Sequence, residues 1–298
     1  MKTVKKINLT ITLIFVGFVF TACEKNEDLD SLESLTESQN IESEQEIVDY
    51  SKYEYYPVND KAKVVTKKFY GSDIEFYQEG DSFILGDMIF TEKSLEATNS
   101  EEAQKGVMRK TSRWGKDSRG LYLVPYTIDP NLSQTNKNRI STAITNFSRK
   151  TKIRFVRRTN QKDYVHFKKG TGCSSFVGRI GGKQNITLEL GCSTGVTIHE
   201  MAHAIGMVHE HQHYLRNNYV KILWDNIKKD KVNNNFPVYS YNSTNTTSFD
   251  FSSIMLYGSY IFSKNGKPTM TKRNGQTFTA QRKGLSFGDE KTIDRIYK

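Results

Sequence analysis

The sequence predicts an α+β domain built of two unlike lobes, and three observations carry that prediction. Residues 121 to 190 alternate short β-branched and aromatic runs with a single long amphipathic stretch. An apolar-faced helix follows at "TGVTIHEMAHAIGMVH", and residues 210 to 288, rich in Asn, Ser, Tyr and Gly, keep no sustained period of either kind. Strands, then one central helix, then an irregular half place a sheet-bearing lobe before that helix and an irregular lobe after it. At 298 residues, 36% hydrophobic and 26% charged, the chain is globular in composition and long enough for one such domain plus a smaller preceding segment.

The elements follow in order. "LYLVPYTID" reads as a strand, and "SQTNKNRISTAITNFSRKT" as a helix opened by Ser133, whose hydroxyl can take a free N–H of the first turn. "KIRFVRR", "YVHFK", "SFVGR" and "NITLEL" read as further strands, and "GDEKTIDRIYK" as a short terminal helix. Ahead of this domain, "KVVTKKFYGSDIEFYQEGDSFILGDMIFT" carries short alternating apolar runs. "EKSLEATNSEEAQKGVMRKTSR" is polar and ends in a basic cluster suited to proteolysis, so cleavage is expected between about Ser100 and Ser112. Residues 24 to about 50 are acidic and Ser-rich, the composition of a disordered tether. Three stretches result: 1–23, 24–111 and 112–298, with no internal repeat.

Residues 1–23 have a lysine-bearing start, an apolar run from Ile7 to Phe20 and small residues before Cys23, the pattern of an export signal and too short a run to span a bilayer comfortably. "FTAC" resembles the lipobox of bacterial lipoproteins, which makes Cys23 the candidate lipidation site and a bacterial source the expectation. The alternative is ordinary secretion, with Cys23 removed or left free. With Cys23 set aside, Cys173 and Cys192 remain as one pair, as an oxidising compartment favours, and the 18 residues between them would give a bridge worth about 3 kcal/mol. The net charge of +10 is segregated. Residues 24–113 carry 11 Lys and Arg against 21 Asp and Glu, a net −10, and residues 114–298 carry 29 against 12, a net +17. Such a basic domain suits anionic surfaces or acidic peptides, and no nucleic-acid-binding motif accompanies the charge, so nucleic acid is not an expected partner.

Five of the six histidines lie in "HEMAHAIGMVHEHQH", residues 199–213. On a helix, positions four apart share a face, so His199 and His203 can present two imidazoles to one ion. Glu200 is rotated by about 100° from His199, which sets its carboxylate beside the ion, where a general base for water should stand. Gly206 can end the helix in a left-handed conformation and bring His209 back as a third ligand. Three neutral imidazoles with one open position describe a catalytic zinc site, whereas structural zinc is closed and usually thiolate-bound. At this chain's own residue frequencies the full H-E-x-x-H-x-x-G-x-x-H pattern arises by chance on the order of once in 100,000 such sequences. His211 and His213 fall beyond the turn with no metal spacing and read as structural or solvated.

The run "HEMAHAIGMVHE" resembles the zinc site of the metzincin metallopeptidases, and the Glu directly after the third histidine points to the astacin family. "SSIMLYGSYIFSKNGKPTM" resembles the astacin Met-turn, and similarity continues through "CSSFVGRIGGKQNITLELGC" and "GLSFGDEKTIDRIY", together about residues 112–298. The resemblance implies a metzincin-like two-lobed catalytic domain, with a twisted, mostly parallel or mixed sheet and an active-site helix above an irregular C-terminal lobe. It implies one Zn2+ per catalytic domain, bound by His199, His203 and His209, with Glu200 as base and then acid. Tyr257 would be a displaceable fifth ligand that stabilises the tetrahedral intermediate, and Met255 a packing residue beneath the metal. Glu210 would hold the mature N-terminus, and Cys173 and Cys192 match the family disulfide before the active-site helix. The chain departs from the family at Leu256, where His is usual, and at His213, Leu215 and Asn217, which replace charged residues. It also lacks the second disulfide.

Family members are made as zymogens whose prosegment places an Asp on the zinc. "SFILGDMIF" resembles that motif with one extra residue between Phe83 and Gly86, which makes Asp87 the candidate switch. A turn Asp in a hairpin is the alternative. The expectation is therefore an exported zinc endopeptidase, secreted or held at the cell surface by lipid on Cys23 as a precursor. Its partners would be protein or peptide substrates and its own prosegment as intramolecular inhibitor, and it would act as a monomer. The competing reading is a catalytically silent, zinc-dependent peptide-binding or adhesin-like surface lipoprotein, which would need neither Glu200, nor Tyr257, nor a switch.

Overall fold

A computed structural model of the chain describes residues 50–100, 112–229, 235–239 and 248–298. The leader with Cys23, the acidic tether up to residue 49 and residues 101–111 of the expected cleavage region lie outside the described residues.

After a 3-10 turn at Tyr50–Tyr53, hairpins open the sheet. β1 (Lys63–Phe69) pairs antiparallel with β2 (Ser72–Glu79), β2 with β3 (Ser82–Leu85), and β3 with β4 (Met88–Phe90). The β1–β2 turn consists of Tyr70 and Gly71, both at positive φ (45° and 81°), as a two-residue hairpin turn matching the strand twist requires. The β3–β4 turn consists of Gly86 and Asp87. Then comes α1 (Glu92–Thr98), seven residues inside the stretch read only as polar. Its start is a reciprocal Thr91–Ser94 capping box, and Leu95 and Ala97 supply the buried side.

The second part of the sheet comprises β5 (Tyr122–Ile128), β6 (Ile153–Arg157), β7 (Tyr164–Lys169), β8 (Cys173–Phe176) and β9 (Lys183–Leu188). β5 runs parallel to β6 and β7, β7 parallel to β9, and β8 antiparallel to β9. The "SFVGR" strand is corrected: β8 begins at Cys173 and ends at Phe176, because Gly178, at φ 71°, turns the chain so that its N–H reaches His203 O at 2.8 Å. Similarly, β9 begins earlier than read and stops at Leu188, since Glu189 O takes the Cys192 N–H in a turn. β4 pairs in parallel with β8, Met88 opposite Ser175 and Ile89 opposite Phe176. Among the described residues this makes one nine-stranded mixed sheet, ordered β1-β2-β3-β4-β8-β9-β7-β5-β6. Residues 63–90 thus extend the sheet of residues 122–188 across the β8 edge.

α2 (Gln134–Lys150) begins at Ser133, whose side chain accepts the Asn136 N–H, and buries Asn136, Ile140, Ala143 and Phe147, a 4-3-4 spacing along one face. It packs against the sheet and against α3 (Thr194–Ala204), capped by Ser193. Every residue of α3 from Gly195 to Ala204 is buried. Ile205 ends the helix, and Gly206, at φ 104°, turns the chain away. A disulfide joins Cys173 at the start of β8 to Cys192 just before α3. The rest is the irregular lobe: short 3-10 turns, a small pair of β10 (Val220–Ile222) with β11 (Met270–Lys272), and α4 (Phe287–Ile296) behind a Ser286–Asp289 capping box. The architecture is α+β with a mixed sheet and a central helix, as read from sequence.

Candidate metal centre

α3 carries His199 and His203 one turn apart, with ring centroids 4.6 Å from each other, and the turn at Gly206 returns His209 to 5.3 Å and 4.9 Å from them. Two of these rings are fixed from behind. His199 Nδ1–H donates to Ile254 O and His203 Nδ1–H to Met207 O, each at 2.8 Å, which aims both Nε2 lone pairs inward. Burial lowers the His203 pKa to about 4, so the ring is neutral at pH 7, as a metal ligand must be.

Asp87 enters this cluster from the tip of the β3–β4 turn. Its Oδ2 is 3.2 Å from His199 Nε2, and its Oδ1 is 3.6 Å from His203 Nε2 and 3.0 Å from His209 Nε2. The carboxylate is fully buried. Gly86 makes the approach feasible: it sits at φ 68°, and a Cβ there would lie 2.9 Å from Asn235 Oδ1 and 3.4 Å from the Tyr257 hydroxyl. The four ligand atoms lie within 4.8 Å of one another. Among the described residues Asp87 Oδ1, His203 Nε2 and His209 Nε2 have no hydrogen-bond partner. Buried lone pairs converging on one point are costly unless a cation satisfies them, and three imidazole nitrogens with a carboxylate oxygen are a tetrahedral donor set suited to Zn2+.

Glu200 is wholly buried next to this cluster, and neither carboxylate oxygen has a hydrogen-bond partner among the described residues. Burial, then the negative charges of Asp87 and Glu54, push its pKa well above the ordinary value of 4.5. Tyr257 packs its ring 4.4 Å from that of His209, and its hydroxyl is likewise unbonded. Met255 is buried, with its N–H on Ser253 Oγ at 3.0 Å and its carbonyl accepting the Glu210 N–H at 3.1 Å. Glu210 Oε1 accepts the Asp250 N–H at 2.8 Å.

The profile of the Astacin peptidase family matches residues 106–298. The chain belongs to the astacin family. Similar proteins include the zinc metalloproteinase nas-13 of Caenorhabditis elegans, 37% identical over 198 residues. That alignment covers 65% of this chain and 43% of the nematode protein, so the chain spans less than half of that relative's length. The low choriolytic enzyme of Oryzias latipes is 37% identical over 62% of this chain and 69% of its own length. Among solved structures, high choriolytic enzyme 1, a hatching enzyme zinc-protease from the same fish, superposes with a TM-score of 0.60 at 37% identity, covering 64% of this chain and 98% of its own.

Three residues around the astacin site escaped the sequence reading. Glu54 and Arg282 form a buried bidentate ion pair, Nε–Oε1 at 2.5 Å and Nη2–Oε2 at 2.6 Å, with side chains 0% and 3% exposed. Burial alone would raise the Glu54 pKa, but the charge of Arg282 and its hydrogen bond outweigh it, and the net shift is down from 4.5. No local signal joins two residues 228 positions apart. The third is Asp289, fully buried: Oδ1 accepts the Ser253 hydroxyl at 2.6 Å, and Oδ2 accepts the N–H of Ile254 at 2.9 Å and of Ser286 at 2.8 Å. Because the Ile254 carbonyl holds the His199 ring, the Ser286–Asp289 cap of α4 also supports that ring's orientation. The reading of His211 and His213 is narrowed: both are 0% exposed, so neither is solvated.

Proposed function

We propose that the chain is a zinc-dependent endopeptidase of extracellular proteins, made as a precursor in which residues 24–111 hold the domain of residues 112–298 latent. The observation that carries this reading is Asp87, on a hairpin turn, 3.0, 3.2 and 3.6 Å from the Nε2 atoms of His209, His199 and His203. An aspartate that completes the ligand set leaves no open position for water or substrate, so the same three histidines serve catalysis only when β3 and β4 have withdrawn. Asp87 is then both the hairpin-turn residue and the latency switch. Three further contacts support a docked inhibitory segment. Ser175 N–H donates to Asp87 O and Val177 N–H to Ile89 O, both at 3.0 Å, so β4 occupies the edge of β8. Glu54, beside Cys173 in an isolated parallel bridge, neutralises Arg282.

Zinc held by His199, His203 and His209 supplies Lewis acidity toward the scissile carbonyl and a water. Glu200 takes the proton of the attacking water at its carboxylate and returns it to the departing amide nitrogen, so that peptide and water become a carboxylic acid and an amine. The carboxylates of Asp87 and Glu54, which push the Glu200 pKa up, leave with the prosegment, and the base becomes easier to ionise as the site opens. Tyr257 donates its hydroxyl to the oxyanion that develops on the carbonyl. Once vacated, the β8 edge offers backbone groups for an extended substrate strand, and Arg282, relieved of Glu54, favours an acidic substrate side chain.

Maturation would cut between Ser100 and Ser112 and release a soluble monomer. If Cys23 carries lipid, only the precursor is anchored. A bacterial source and export are part of the same proposal and rest on the leader's resemblance to an export signal with a lipobox. The −10 of residues 24–113 against the +17 of residues 114–298 favours docking of the two parts. The test is casein hydrolysis by purified, zinc-loaded, trypsin-activated protein with and without a chelator, beside Glu200→Ala. The variant should retain zinc and lose at least about 100-fold in turnover. Chelator-resistant cleavage, or turnover by the variant, overturns the mechanism.

A further inference from the structure

The sequence treats His211 as a bystander, and the fold does not. Its ring is fully buried and lies flat against Tyr257, centroids 4.5 Å apart and planes 20° from parallel. It also stacks on His209, at 5.0 Å and 27°. The Nε2–H donates to Asn235 O at 2.8 Å, which fixes the ring from its far end, while Nδ1 has no hydrogen-bond partner among the described residues. Among the described residues the Tyr257 hydroxyl makes no hydrogen bond of ordinary geometry, and the carboxylate that acts on it, Asp87, leaves with the prosegment. The Tyr257 ring is therefore oriented by packing: His211 face to face at 4.5 Å, His199 parallel but farther off at 6.3 Å, His209 tilted at 4.4 Å, and Phe262 edge-on at 5.9 Å. His199 and His209 cannot be varied without losing a metal ligand, His199 lies 6.3 Å away, and Phe262 touches only with its edge, so the flat wall nearest the phenol is His211.

We propose that His211 is a positioning residue for Tyr257, holding the phenol so that its hydroxyl meets the oxyanion of the transition state; this rests on the oxyanion role assigned to Tyr257 above. The work belongs to the stacked ring. The Asn235 hydrogen bond keeps that ring from turning. A donor held to within a few tenths of an ångström acts in the transition state rather than on substrate binding, so its misplacement lowers kcat and spares KM.

The test is a double-mutant cycle in the activated, zinc-loaded enzyme. His211→Gln retains a donor for Asn235 O but removes the ring, whereas His211→Phe retains a flat ring and removes the donor. His211→Gln should lose about 10- to 100-fold in kcat with KM within about twofold, and His211→Phe should stay within about threefold of the parent. In a Tyr257→Phe background the His211→Gln loss should shrink to about twofold, because no hydroxyl remains to position. Zinc affinity, measured by chelator competition, should stay within about threefold throughout. If His211→Gln does not fold, His211→Leu, which removes ring and donor together, carries the cycle with His211→Phe as the control that removes the donor alone. Equal losses in both backgrounds, a loss confined to KM, or damage from Phe equal to that from Gln overturns the proposal. Full kcat in Tyr257→Phe alone is a distinct result: it removes the role of Tyr257, and the proposal with it.

Discussion

Replacing Glu54 by Gln should turn a silent precursor into a leaking one. Glu54 is 0% exposed and makes two charge-assisted hydrogen bonds to Arg282, of 2.5 and 2.6 Å. Without its charge, the hydrogen-bond acceptors left to Arg282 among the described residues are the carbonyls of Leu256 at 3.2 Å and Gln281 at 2.7 Å, and the charge of Asp87 acts on it only as a lesser influence than Glu54. Breaking a buried pair on one side typically costs about 3–5 kcal/mol, and Gln retains one acceptor oxygen, which argues for about 3 kcal/mol. At about 1.4 kcal/mol per tenfold, the open fraction of uncut precursor rises roughly 100-fold. The assay is the initial rate on a quenched fluorescent peptide carrying acidic residues, with zinc-loaded precursor shown intact by gel before and after. The trypsin-activated enzyme serves as the fully released reference, and Asp87→Ala as the precursor with only the Glu54 lock. The pH dependence has a definite sign. The docked Glu54 pKa lies below 4.5, so its contribution to latency is complete above that free value and is lost only as pH falls through the lower docked one. The Glu54 contribution to latency should therefore be constant from about pH 5 to 8 and fall only in stronger acid, whereas Glu200, whose docked pKa lies well above 4.5, works the other way and lets the leak of the parent grow as pH rises above that free value. A Glu54→Gln precursor as silent as the parent, while Asp87→Ala leaks, would refute the two-point account and leave Asp87 as the sole lock.

Two further outcomes follow from single contacts. Gly86→Ala forces a β-carbon into the left-handed region at φ 68° and to 2.9 Å from Asn235 Oδ1. A cost of about 1–2 kcal/mol on the docked state should raise precursor leak by roughly tenfold and leave the activated enzyme unchanged, as read by the same peptide assay. Asp289→Asn removes one acceptor oxygen from a carboxylate serving Ser253, Ile254 and Ser286, loosening the carbonyl that orients His199. Zinc affinity should fall by about 10-fold in chelator competition, against no change if the cap only stabilises α4.

What the chain reveals without its fold is whatever depends on short spacing. The helical period brings His199 and His203 together, Gly206 sits where the turn must come, and Ser133 marks the start of α2. The α+β order and the pairing of Cys173 with Cys192 were legible for the same local or compositional reasons. Element ends were less so, since β8 stops where Gly178 meets His203 O, a contact with α3 that its own residues do not encode. The tertiary structure alone decided which distant groups meet. Only the docking of β4 on β8 carries Asp87 to the histidines, only burial joins Glu54 to Arg282 across 228 positions, and only the packed lobe turns His211 from a spare imidazole into the wall of Tyr257. The physical reason is the same in each case. Backbone period constrains neighbours within a turn or a strand, whereas the pairing of buried charges and rings is chosen by exclusion of water once the whole surface has closed.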